Sequence, residues 1–128
     1  RGRGCFCNDA PMKLRPSTSA IADATLSVGD MRPLFGAPWG PSVLALIEEA
    51  ENARCYGDLV GVTLVLKGIA DVWLEAGVKP WDVAPMPVLV EEAGGVFTDF
   101  RGTQDLDHGS AIVAGPELHP EILRRFQD

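Results

Sequence analysis

Two carboxylates seven positions apart, Glu75 and Asp82, lead the side chains of this sequence that could do chemistry. Asp82 opens the stretch Trp81-Asp82-Val83-Ala84-Pro85-Met86-Pro87-Val88-Leu89-Val90-Glu91-Glu92-Ala93-Gly94-Gly95. Met86, Leu89, Val90 and Ala93 follow i, i+3, i+4, i+7 spacing, so a short helix buries them and turns Glu91 and Glu92 to solvent. A carboxylate fixed at a helix start offers magnesium the hard oxygen it prefers. The adjoining helix N-terminus favours a phosphate. Spacing alone also allows a plainer role for Asp82, an N-cap of the first turn. Gly94 or Gly95 ends the helix in a left-handed conformation, and Pro87 should distort it by removing a donor. Trp81 reads as a packing residue that fixes the turn.

Glu75 follows a β-rich run, Ile69 to Leu74, at the strand end where α/β sheets hold ligands. The alternative is a solvated loop carboxylate. A third group is Arg54-Cys55-Tyr56-Gly57-Asp58, a strand leading into a turn. Asp58 would cap the next helix, although a carboxylate there also suits a cationic amine or imidazolium; Arg54 reads as a strand-edge charge. Other candidates are weaker. His108 and His119 read as surface residues, Asp105 and Asp107 as a solvated loop, and no serine lies in a Gly-x-Ser-x-Gly setting. Cys5, Cys7 and Cys55 are odd in number and lack zinc spacing, so reduced, mostly buried thiols in a cytoplasmic protein are expected.

The elements that must position these groups alternate in type. A strand, a tight turn at Asn8-Asp9 and a loop rich in Pro, Ser and Thr open the chain. Ala24 to Val28 is a short strand that Gly29-Asp30 ends. A loop over Met31 to Pro41 leads to a helix capped by Ser42, with Val43, Leu46, Ile47 and Ala50 inward and Glu48, Glu49 and Glu51 outward. Leu59 to Lys67, closed by Gly68, is apolar on nearly all sides and should lie buried between layers. Strands around Val96 to Phe100 and Ala111 to Ala114 flank an acidic loop, and Glu117 to Phe126 forms the last helix. The class is α/β with a layered mixed sheet.

Trp81-Asp82-x-Ala84, the apolar helix and Glu92-Ala93-Gly94-Gly95 together resemble the C-terminal signature of the inositol monophosphatase family. Ala70 to Glu75 before it, Val96 to Gly102 after it, Arg1 to Met12 and Ser110 to Gly115 agree, so the resemblance covers nearly the whole chain. It implies an inositol monophosphatase-like sandwich of which residues 1–128 are the C-terminal portion. The family's first metal motif, an Asp-Pro-hydrophobic-Asp-Gly-Thr/Ser string, is not in this sequence, which has no Asp-Pro pair at all. The resemblance makes Asp82 a ligand of catalytic Mg2+ and Glu75 a hydrogen-bond partner of the substrate. Gly57 falls on the turn that touches substrate, while Arg54 and Asp58 resemble the histidinol-phosphate phosphatase branch.

The implied activity is magnesium-dependent hydrolysis of a small phosphorylated metabolite, by in-line attack of a metal-activated water. Histidinol phosphate is favoured over an inositol phosphate. A non-catalytic fragment or degenerate homologue that only binds ligand or partner is the competing class. Family members are often homodimers. Composition is compatible with this. The 128 residues suffice for a core of their own. Eleven Lys and Arg, scattered among 18 Asp and Glu for a net charge of −7, argue against a nucleic-acid surface. No apolar run approaches the roughly 18 residues of a membrane span.

Overall fold

The structure is a computed structural model and describes residues 1–16, 18–36 and 38–128. Its centre is a five-stranded mixed sheet of β3 (Thr25–Val28), β4 (Asn52–Cys55), β5 (Val72–Ala76), β6 (Val96–Thr98) and β7 (Ser110–Ala114). Their order is β4-β3-β5-β7-β6. β4, β3 and β5 run parallel, and β7 is antiparallel to both neighbours. A separate hairpin joins β1 (Cys5–Cys7) to β2 (Ala10–Met12) through Asn8 and Asp9, both at positive φ as a type I′ hairpin turn requires.

Strand alternation sorts the core into two layers. Val72, Leu74 and Ala76 of β5 share one cluster with Leu26, Val28, Ile112 and Ala114. That face is covered by α1 (Met31–Phe35), α2 (Gly40–Glu49) and α6 (His119–Gln127). Trp73 of β5 points the other way, toward Ala111, Val113 and the helices α3 (Asp58–Leu66), α4 (Pro80–Val83) and α5 (Met86–Glu92). The hairpin packs on this second layer through Cys5 and Met12. It is tied there by Glu92, whose carboxylate accepts the N–H groups of Gly2 and Gly4 at 2.5 and 2.7 Å.

Several local expectations change. The segment expected as a loop from Met31 begins with α1, because Asp30 caps it by accepting the Arg32 N–H at 3.1 Å. α2 starts at Gly40, ahead of Ser42, since Pro41 is at home in a first turn. Pro87 does no damage for the same reason: α5 starts at Met86 and puts it in the first turn. Gly94 and Gly95 divide the work at the helix end. Gly94 has φ 88°, whereas a side chain at Gly95 would press on Leu14 and Val90 at 2.8 and 2.9 Å. α3 is buried along Gly61, Val62, Val65 and Leu66, but Leu59 and Val60 are exposed, so only one of its sides is covered. Trp81 does not pack; it is 77% exposed.

Candidate active site

Asp58, Leu59, Trp73, Val78, Asp82 and Val83 line one cleft of about 290 Å³. The two carboxylates arrive on different elements, Asp58 on the first turn of α3 and Asp82 in α4. Asp82 does not cap the helix that follows it. It is the third residue of α4, and its Oδ2 accepts the Lys79 N–H at 2.8 Å, closing that turn on itself. Its Oδ1 takes no hydrogen bond among the described residues, and the side chain is exposed. Asp58 is not a side-chain cap either. Gly57 holds the N-cap position without a side-chain bond, and Asp58 has φ 52°, a conformation that a non-glycine residue rarely adopts.

Glu75 is buried, 1% exposed, and not a solvated loop residue. Its Oε1 accepts the N–H groups of Asp30 at 2.6 Å and Ala76 at 3.1 Å, and Oε2 accepts that of Asp58 at 3.2 Å. Gly29 makes room for it, since a Cβ there would overlap the carboxylate. Burial pushes the Glu75 carboxyl above its ordinary value; the three N–H groups work against that rise, and the charge of Asp58 adds to it. Arg54 is not brought to the cleft. It is exposed on β4, donates to its neighbour's carbonyl on Ala53 at 2.9 Å, and lines an apolar groove with Val28, Met31, Phe35, Ile47, Ala53 and Cys55. Gly57 is exposed, with nothing within 4 Å of where a Cβ would stand.

Two features escaped the sequence reading. Trp73, at the cleft, is buried, and its indole N–H has no partner among the described residues, nor has the hydroxyl of Ser27 opposite it on β3. Both face Gly61, where a Cβ would come within 2.8 Å of the Ser27 Oγ and of Trp73 Cδ1. The signal was parity, because Trp73 and Glu75 lie two apart on one strand and so share a face. His119 is the second. It is buried, 5% exposed, and its Nε2 lies 2.9 Å from Thr98 Oγ1. Because that hydroxyl donates to the Asp99 carbonyl, Nε2 is the protonated nitrogen, and burial holds the His119 pKa below its ordinary value. Of the cysteines, Cys5 is buried, Cys7 half-buried and Cys55 exposed, so the expectation of mostly buried thiols holds for only part of the set.

The fit to magnesium is partial. The described residues hold no group of three His, Cys, Asp or Glu that could bind a metal. Magnesium is often held by one or two carboxylates plus phosphate oxygens and water, and Asp82, exposed with one oxygen uncommitted, matches one such ligand.

A cleft that carries two carboxylates at the starts of helices, on one face of a layered α/β sheet, is what this geometry defines. The chain belongs to the inositol monophosphatase family, whose model matches residues 1–128. A histidinol-phosphatase of Mycobacterium tuberculosis is 33% identical over 130 residues, covering 98% of this chain and 50% of that protein. The Nus factor SuhB of Pasteurella multocida is also 33% identical, with coverage of 99% and 49%. Among solved structures, the inositol monophosphatase from Anabaena (Nostoc) superposes with a TM-score of 0.84 at 25% identity, over 98% of this chain and 53% of that one. The chain spans about half the length of the curated relatives that it matches.

Proposed function

We propose that this chain is the C-terminal portion of a magnesium-dependent phosphate monoesterase that acts on histidinol phosphate. The observation that carries the reading is the convergence of Asp58 and Asp82 on one cleft, at the mouths of two helices. Asp82 would hold the metal ion through its uncommitted oxygen. Bound there, magnesium would lower the pKa of an attacking water and offset charge on the phosphate. Asp58 would pair with the cationic amine or imidazolium of the alcohol, and Gly57 would leave room in front of it. Arg54 would meet the ligand only by turning away from Ala53. The 33% identity to a histidinol-phosphatase supports the same substrate.

The test compares histidinol phosphate with inositol 1-phosphate, with and without magnesium, in the protein that supplies the other half of the relatives' length. Magnesium-dependent turnover with histidinol phosphate preferred supports the proposal. A preference for the inositol ester would reassign the substrate. A second reading, a homologue that binds ligand or partner without catalysis, is favoured by the lack of a three-ligand metal group among the described residues and by the likeness to a Nus factor. It predicts binding of histidinol with no turnover of either ester.

A further inference from the structure

We propose that the β1–β2 hairpin carries a soft-metal site, in which Cys5, Cys7 and Met12 bind one Cu(I) ion through sulfur. The two cysteines have no part in the cleft of Asp58 and Asp82. Strand pairing adds to them a third sulfur that no spacing in the sequence joins to the pair. Cys5 stands directly opposite Met12, and Cys7 opposite Ala10. Side chains two apart on a strand share a face, as do those opposed across an antiparallel pair. Burial agrees with that parity. Cys5 and Met12 are buried in one cluster and Cys7 packs against it, whereas Phe6 and Pro11 are exposed on the other face. Opposed Cβ atoms lie about 4.5–5.5 Å apart, and Cys7 is about 7 Å along the strand from Cys5. Metal–thiolate bonds of about 2.3 Å, reaching in from each ligand, suit such a spacing.

The donor set selects the ion. Two thiols and a thioether are soft ligands, which favour Cu(I), whereas magnesium wants oxygen. A structural zinc site asks for four ligands, and among the described residues no third Cys, His, Asp or Glu joins Cys5 and Cys7 in a metal-binding group. Burial pushes the Cys5 thiol above its ordinary value, and negative charge on Cys7 and Glu92 adds to the rise. The Cys5 sulfur therefore keeps its proton until a cation takes the proton's place. On binding, each cysteine releases its proton to solvent and gives an electron pair to the metal. Copper enters and stays as Cu(I), so no electron is transferred. The resulting centre carries surplus negative charge, which Lys13 and Lys67 offset. These lysines, with Cys7 and Met12, line an open pocket of about 650 Å³ that gives the ion its way in.

The test titrates Cu(I) into the intact protein, without oxygen and against a competing Cu(I) chelator. A Cys55→Ser background removes the exposed thiol that lies elsewhere. One Cu(I) per chain should bind, and X-ray absorption should show a shell made only of sulfur. Cys7→Ser should weaken binding by more than about a hundredfold, past the range of about 10–100-fold typical of an outer-shell partner. Met12→Leu, which nearly conserves volume, should weaken it by about tenfold, the lower end of that range, because a thioether brings no charge.

Unchanged affinity in Cys7→Ser would overturn the proposal. So would nitrogen or oxygen ligands in the shell, or a protein that takes zinc in preference to Cu(I). If either variant fails to fold, alkylation of the wild type decides. Cu(I) should shield Cys7 from iodoacetamide, and labelling of Cys7 that is the same with and without the ion would sink the idea. Turnover of phosphate esters does not enter, so the outcome is independent of the substrate reading.

Discussion

Asp82 is held by one backbone N–H, on Oδ2, and this makes its charge separable from its place in the fold. Asp82→Asn keeps a carbonyl oxygen for the Lys79 N–H and loses the charge that a hard cation needs. In the intact protein the variant should lose most magnesium-dependent turnover while keeping its melting temperature within about 2 °C, since exposed changes usually stay within ~0.5 kcal/mol. Near-normal turnover would leave Asp82 as a local cap and nothing more. His119 gives a prediction on pH. Its pKa is lowered in the native state, so the native form takes up a proton later than the unfolded chain as pH falls. Stability is therefore unaffected by this residue above its ordinary value near 6.5 and declines below it. Comparing melting temperatures of wild type and His119→Gln from pH 7.5 downward isolates the contribution: the variant should lose less between pH 6.5 and 5. Identical slopes would contradict it. Asp82 was legible because an unusual string surrounds it. The burial of His119 was not, because its neighbours in sequence say nothing of Thr98, which meets the start of α6 from β6.

At the scale of elements, α3 lies as close to the sheet as it does because residue 61 has no side chain. A Cβ on Gly61 would overlap the Tyr56 carbonyl and crowd Ser27 and Trp73. Gly61→Ala should therefore push α3 outward and cost about 1–3 kcal/mol, the usual range for overpacking. Thermal or urea unfolding measures it, and a neutral result would mean that the helix–sheet spacing is softer than it looks. The same displacement would carry Asp58 with it, so the cleft should report the change as well. Most strands were readable from alternation, and α5 from its spacing. The helix starts were less so, since α1, α2 and α5 each begin around a proline that the sequence presents first as a breaker. The exposed side of α3 could not be foreseen from composition: an all-apolar helix announces that it wants two layers, and this chain supplies one.

At the scale of the whole molecule, the small number of candidate metal ligands limits what this polypeptide should do alone. Among the described residues no group of three His, Cys, Asp or Glu side chains stands ready to hold a metal, so these 128 residues by themselves should turn over no phosphate ester, with or without magnesium. A steady-state assay on the purified chain checks this, and magnesium-dependent release of phosphate would defeat it. The family and the α/β class were legible because the signature string is long and its flanks agree. The hydrogen bonds that Glu75 accepts were not, because Asp30, Asp58 and Glu75 are far apart in sequence and meet only through the parallel order of β3, β4 and β5.

The place of β7 between β5 and β6 makes this a sheet with its keystone laid last. A transcript cut before Ser110 would yield more than a chain one strand shorter. β6 would have no sheet to join, and β5, buried on both faces, would present a row of unpaired amides and carbonyls along one edge. Such a product should collect as insoluble material by edge-to-edge association, whereas removal of Arg125 to Asp128 at the end of α6 should leave the sheet closed and the chain in the supernatant.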